Sequence, residues 1–478
     1  MEKSNPQLIR AFGLFTAVLF VMGSIIGSGV FKKIAPMSAE LGSAGLILGA
    51  WAAAGLITLL GALSNAEVGG LIAEPGGQFV YFRHMYGLPF AFFYGWATLA
   101  VIQSATAAGV AYVFAESLNA LVLLPRLPQN VEALDLGGVF QPFANSGVKG
   151  CTIALLLILT AINYRGVKLG GWVLKIFAST VIVCIFLIAA LCLAKGKGHP
   201  LTDFRFLPSS KEASQAGLFA SFFTAMLSAF WAYEGWITVT YLGGEIRNPH
   251  RNIPLALTFG TLGVITVYLM INAAYLYAEP PSFFQAVNAR ENQIAAVEVV
   301  RSLIGDRGAV IVIVLILLST FSCTNTTFMG APRVYFAMAR EGLFPAIFGL
   351  VHPRYRTPHV AVLIQGVWSS VLVLSGTFDQ LTDMLVFAAF IFYGMGALGV
   401  FVLRRKMPDA PRPYKVIGYP VVPLAFVLFC ATLVLISILE RPREAAIGMA
   451  LIASGIPVYA YYFRKRKSQI KLKISDSQ

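Results

Sequence analysis

Apolar and polar positions fall along this chain in long blocks, not in the short periods of a soluble helix or strand. Apolar runs cover residues 12–34, 45–67, 79–116, 148–163, 171–194, 217–242, 255–277, 308–339, 358–377, 381–403, 420–439 and 445–463. About 20 apolar residues in a helix cross the hydrocarbon core of a bilayer. The pattern predicts an all-α, polytopic membrane protein of about 12 transmembrane helices. The larger polar segments, 117–147, 195–216 and 279–307, are too short for a soluble domain. That argues against a membrane-tethered enzyme with a globular head.

Composition agrees. The chain has 478 residues, 57% hydrophobic and 12% charged, with a mean hydropathy of +0.74. Soluble domains average about 25% charged residues. The net charge of +14 does not indicate nucleic acid, because the basic residues sit in short loops and form no continuous patch. Arg404-Arg405-Lys406 and Arg464-Lys465-Arg466-Lys467 fall on one side, and the Lys/Arg excess places both termini in the cytoplasm of an inner (plasma) membrane protein. These clusters set topology and contact membrane lipid. The first run is too long for a signal peptide and lacks a cleavage pattern. The segment 464–478 reads as a disordered basic tail. Cys151, Cys184, Cys192, Cys323 and Cys430 have no metal-ligand spacing and read as small packing residues. No metal and no cofactor are expected.

Two runs are interrupted. The first contains Gly23-Ser24-Ile25-Ile26-Gly27-Ser28-Gly29. Each glycine costs a helix interior about 1 kcal/mol relative to Ala. A broken membrane helix is tolerated only where it faces protein or a water-filled cavity. A break here would offer free N–H groups to a carboxylate and free carbonyls to an ammonium, which together suit a zwitterion. Close helix packing through Gly23 and Gly27 is the alternative. The sixth run reads Phe230-Trp231-Ala232-Tyr233-Glu234-Gly235-Trp236. A carboxylate there costs about 2.5–3.5 kcal/mol on insertion scales, so it should face a cavity or a partner. Aromatic walls around one polar group describe a small-ligand pocket. A protonated Glu234 in a helix–helix hydrogen bond is the other reading. Interrupted helices at matching places in two halves point to a transporter site. Direct self-similarity between the halves is not evident.

These residues resemble the L-type amino acid transporters of the amino acid–polyamine–organocation superfamily over nearly the whole chain. The stretches 23–29 and 231–236 are similar to the family's first- and sixth-helix motifs. Glu245-Ile246-Arg247-Asn248-Pro249 with Arg251-Asn252-Ile253-Pro254, Ala339-Arg340-Glu341-Gly342-Leu343-Phe344-Pro345 and Pro411-Arg412-Pro413 follow in the expected order.

The resemblance implies a leucine-transporter-like 5+5 inverted repeat, with helices 1 and 6 broken and two helices added. Its divisions are a cytoplasmic segment 1–11, repeats 12–197 and 217–404, helices 11 and 12 in 419–463, and the tail 464–478. It implies L-amino acid substrates. N–H groups around Ser28 and Gly29 would hold the carboxylate, with Ile26 and Gly27 also in the substrate site. Carbonyls near Ile25 and Trp231 would hold the amine. Phe230, Trp231, Ala232, Glu234, Gly235 and Phe390 would line the site. Lys175 would stand in for a sodium ion, bridging a helix-1 carbonyl and the hydroxyls of Ser319, Thr320 and Ser322. Snorkelling of Lys175 to the headgroups is its other reading. Tyr268 would place substrate or gate. Animal members pair with a heavy chain through a cysteine after helix three. Residues 117–147 contain none, so this chain is expected to work alone. Glu234 stands where many members carry a small residue and some that accept cationic substrates carry an acid.

The resulting expectation is a sodium-independent exchanger of small neutral amino acids, and of cationic ones where Glu234 pairs with their side chains. Proton-coupled symport and a non-transporting sensor are the alternatives. An enzyme is not expected. There is no zinc-type His pair and no Gly-x-Ser-x-Gly elbow, and His84, His199, His250, His352 and His359 lie in or beside loops. No residue is assigned a catalytic role.

Overall fold

Inside hydrocarbon a backbone must satisfy its own hydrogen bonds, and helices do so within one segment. The computed structural model describes residues 10–134, 142–207, 215–290, 293–375, 378–440 and 442–475. Among these the only β pairing is an isolated bridge between Phe12 and Ile246. The first run forms α1 (Leu14–Ile25), α2 (Gly29–Lys32) and α3 (Ile34–Leu41). The second is α4 (Ala44–Leu71), followed by the short α5 (Gln78–Tyr86). The third is α6 (Leu88–Ala97), joined through a π turn at Thr98–Ile102 to α7 (Gln103–Leu121). After α8 (Gln129–Glu132) come α9 (Ser146–Tyr164) and α10 (Val167–Lys195). The sixth run is α11 (Gln215–Tyr233) and a 3₁₀ turn, Trp236–Leu242. The seventh is α12 (Pro249–Ala278), with α13 (Pro281–Asn288) and α14 (Ala295–Ile304) after it. Then follow α15 (Asp306–Gly330), α16 (Pro332–Arg340), α17 (His359–Ser375), α18 (Phe378–Lys406), α19 (Val421–Glu440), α20 (Pro442–Ala453) and α21 (Gly455–Ser475).

Nine helical stretches among the described residues are long and apolar enough to cross a membrane. The other three expected runs are the first and sixth, which are broken, and the 17-residue α17. The protein is thus a multi-pass membrane protein. One expectation is corrected: α21 continues through the basic segment to Ser475 instead of ending at the membrane. Lys, Arg and Gln are good helix formers, and an apolar helix already precedes them.

The broken first run lies at the centre, where α1 packs against α12, α15 and α10. Two connections close the structure around it. On the N-terminal side, Phe12 N–H donates to Glu245 O (3.0 Å) and Arg247 N–H to Phe12 O (2.8 Å). Arg333 on α16 donates a two-pronged pair of hydrogen bonds to the Glu245 carboxylate, at 3.0 and 3.3 Å. Both side chains are fully buried. On the opposite side, Lys32 pairs with Glu116 of α7 at 3.2 Å. There Gln285 on α13 donates to Ser38 O at 3.0 Å.

Candidate substrate site

The site is built where two helices fail together. α1 ends because Ile26 leaves the helical region (φ −74°, ψ 88°). The backbone N–H groups of Gly27, Ser28 and Gly29 have no acceptor among the described residues. α11 ends at Tyr233, where Gly235 takes φ +110°, a conformation an L side chain rarely adopts. The two breaks touch. A Cβ built on Gly29 would lie 2.4 Å from Ala232 Cβ, and one on Gly235 would lie 2.4 Å from Ser24 O. Glycine at these positions is therefore a steric requirement of the crossing.

Tyr268 on α12 ties the breaks to each other. Its hydroxyl proton is shared between Ile25 O (3.0 Å) and Ala232 O (2.9 Å). Its ring is held against Trp51 and Tyr233, with centroids 5.3 and 5.1 Å away. From the other side, Ser319 on α15 donates to Ile26 O (3.0 Å) and Gly27 O (3.3 Å). Cys323, one turn on, donates its thiol to Ser24 O (3.2 Å).

These residues enclose a cavity lined by Ser24, Ile25, Gly27, Ser28, Gly29, Thr106, Val110, Trp231, Glu234 and Cys323. About 20 Å³ of it is open to a water centre, which is room for about one water. The hydroxyls of Ser24 and Ser28 are buried there without a protein partner. A buried polar group in a native structure calls for a partner, and a polar ligand or water supplies one. Glu234 is 8% exposed. Tyr393 on α18 donates to its Oε1 at 2.5 Å.

Expected and observed positions divide cleanly. Ile25, Gly27, Ser28, Gly29, Trp231 and Glu234 line the cavity. Ala232 contributes its carbonyl through Tyr268, and Gly235 its turn. The Trp231 carbonyl instead accepts from Glu234 N–H (3.3 Å), within the turn itself. Phe230 and Phe390 do not line the cavity in this conformation. They pack against each other (5.2 Å) and against Phe429, forming a wall behind Tyr393. Ile26 faces a second, closed gap with Met22, Gly23, Ala178, Val181, Ile182, Ser319 and Ser322.

Lys175 is a correction. Its side chain is exposed and turned away from α1. Leu174 and Ala178 are the α10 residues that meet Gly23. Lys175 does not bridge α1 and α15; Ser319 makes that connection directly. Thr320 donates to Ile316 O of its own helix at 2.7 Å. Ser322 is buried with no hydrogen-bond partner among the described residues.

Thr106, Val110 and Tyr393 went unread in the sequence, and Cys323 was read only as a packing residue. Thr106 and Val110 share one face of α7, just beyond its π turn, and such turns recur at functional sites. Cys323 does more than fill space, since it lines the cavity and hydrogen-bonds α1.

A family model described as amino acid permease matches residues 12–460. The chain belongs to the amino acid permease family. Within the superfamily its relatives are L-type transporters. The permease is 30% identical over 470 residues to the serine/threonine exchanger SteT of Bacillus subtilis, covering 98% of this chain and 100% of that one. It is 30% identical to the human b(0,+)-type amino acid transporter 1, covering 96% and 89%. It is 31% identical to the rabbit (Oryctolagus cuniculus) large neutral amino acids transporter small subunit 2, covering 95% and 80%. The permease is a transporter of amino acids and not an enzyme.

Proposed function

We propose that this permease exchanges small neutral L-amino acids across the membrane by alternating access, without sodium. The observation that carries the reading is the meeting of the two helix breaks around one small cavity. Free N–H groups of Gly27, Ser28 and Gly29 suit a carboxylate, and the carbonyls of Ile25 and Ala232 suit an ammonium. In this conformation the Tyr268 proton is shared by those carbonyls, and a substrate ammonium would compete with it. Residues 12–197 and 217–404 would form the two inverted repeats, with 419–463 packed outside them. Small size rests on the likeness to the serine/threonine exchanger, since a cavity with room for about one water must widen for any substrate. Neutral selectivity follows from Glu234, already engaged by Tyr393. Both termini lie in the cytoplasm on the Lys/Arg bias, and the chain works without a heavy chain.

Counterflow tests it. Purified protein in liposomes preloaded with unlabelled alanine or serine should take up the labelled amino acid faster than empty liposomes do. The rate should be the same with and without sodium. Uptake driven by a proton gradient with no acceleration by internal amino acid would overturn exchange in favour of symport. Binding without flux would make the chain a sensor.

A further inference from the structure

Outside the cavity, two connections meet on the side of the N terminus. These are the turn after α9 and the segment leading into α17. Thr357 Oγ1 donates to Tyr164 O at 3.0 Å. The Tyr164 ring lies 5.4 Å from His352 and 5.7 Å from His359. The segment turns tightly, with His352 N–H donating to Thr357 O (2.8 Å) and Arg356 N–H to His352 O (2.9 Å). Arg356 sits at φ +57°, a left-handed conformation that costs a non-glycine residue about 1–2 kcal/mol.

The turn presents positive charge without a counter-charge. Arg165 and Arg354 are exposed and Arg356 is half-buried. Among the described residues none of the three is in ion-pair distance of a carboxylate. The acid nearest in sequence, Glu341, is taken by Arg83 and Arg466. His352 Nδ1 accepts the backbone N–H groups of Arg354 and Tyr355, both at 3.2 Å. That leaves its proton on Nε2, a further donor with no protein partner among the described residues.

Next to this cluster the helices turn apolar. Ile158 on α9, Trp172 and Ile176 on α10, and Leu363 and Val367 on α17 are 40–62% exposed. In a multi-pass protein such a surface faces acyl chains, and an exposed Trp near a helix end marks the headgroup level.

The geometry points to a binding site for the phosphate of an anionic phospholipid, held by Arg165, Arg354, Arg356 and His352, with its acyl chains on α9, α10 and α17. Guanidinium groups suit phosphate geometry. The adjoining apolar strip selects a lipid over a free anion.

The test uses full-length protein stripped of lipid in neutral detergent, with phosphatidylglycerol as probe and native mass spectrometry as readout. Arg354→Gln with Arg356→Gln should weaken phosphatidylglycerol binding by about tenfold or more, from the loss of charge-assisted hydrogen bonds. Arg251→Gln, which removes an exposed arginine elsewhere on the same side, should leave binding unchanged. The single Arg356→Gln variant serves if the double variant is poorly folded. Equal binding by wild type and variants overturns the site. So does an equal loss in Arg251→Gln, which would mean diffuse surface attraction. Displacement of phosphatidylglycerol by inorganic phosphate at equal concentration also overturns it, because the apolar strip would then contribute nothing.

Discussion

Tyr393 donates its hydroxyl to Oε1 of Glu234 across 2.5 Å, from α18 to the break in the sixth run. The bond turns the carboxylate toward the α18 wall, where Trp236 packs on Tyr393 at 5.1 Å. A cationic substrate must compete with that hydroxyl for the carboxylate. Tyr393→Phe should therefore make lysine a stronger inhibitor of labelled alanine uptake, by about tenfold for one charge-assisted bond gained. Glu234→Gln should cancel that gain while alanine uptake stays within about threefold of wild type. Unchanged lysine inhibition in Tyr393→Phe would show that Glu234 does not face the substrate side chain.

Tyr268→Phe removes one hydroxyl and leaves the ring packing on Trp51 and Tyr233 in place. The chain should fold, and the carbonyls of Ile25 and Ala232 should lose their shared donor. One hydrogen bond contributes about 1 kcal/mol. The exchange rate should fall roughly five- to tenfold, read in liposomes at saturating amino acid, with little change in melting temperature. A variant that exchanges normally would show that the bridge does not set the geometry of the two breaks.

Gly29→Ala and Gly235→Ala should abolish transport. Each added methyl would sit 2.4 Å from the facing chain, and Gly235 would also be strained at φ +110°. Gly150→Ala, where nothing lies within 4 Å, is the control and should transport as wild type. Normal uptake by the Gly29 variant would mean that the crossing can open at little cost.

Lys175→Ala should leave uptake within about twofold of wild type, because the side chain points away from α1. Ser319→Ala should slow it about tenfold, since Ser319 holds two carbonyls at the break. Initial uptake rates of the two variants at matched reconstitution decide this. The reverse order would restore the lysine as the link between α1 and α15.

Arg333→Ala should destabilise the protein by about 3–5 kcal/mol, because it strands a buried carboxylate on Glu245. Thermal unfolding in detergent should show the loss. Arg333→Met with Glu245→Met should recover much of it.

The helices were readable because hydrocarbon demands long apolar segments, and the breaks because glycine interrupts them. The direction of Lys175 was not readable. Successive helix residues are about 100° apart, so Leu174 and Ala178 can face Gly23 while Lys175, one position on, faces outward. Tyr393 lies three residues beyond Phe390, on the same face of α18. The family resemblance pointed to Phe390, the ring in the wall, and carried no signal for the hydroxyl that reaches Glu234. Thr106 and Cys323 come from helices distant in sequence, and only tertiary packing brings them to α1. The basic tail read as disordered because charge alone was weighed, without the helix already running into it.

The near-closure of the cavity has an electrical consequence. A membrane potential of 100 mV is worth about 2.3 kcal/mol for each elementary charge that crosses. At the crossing of the broken helices the space holds about one water, with Arg333–Glu245 paired on one side and Lys32–Glu116 on the other. An ion passing this point in this form would have to shed most of its hydration shell.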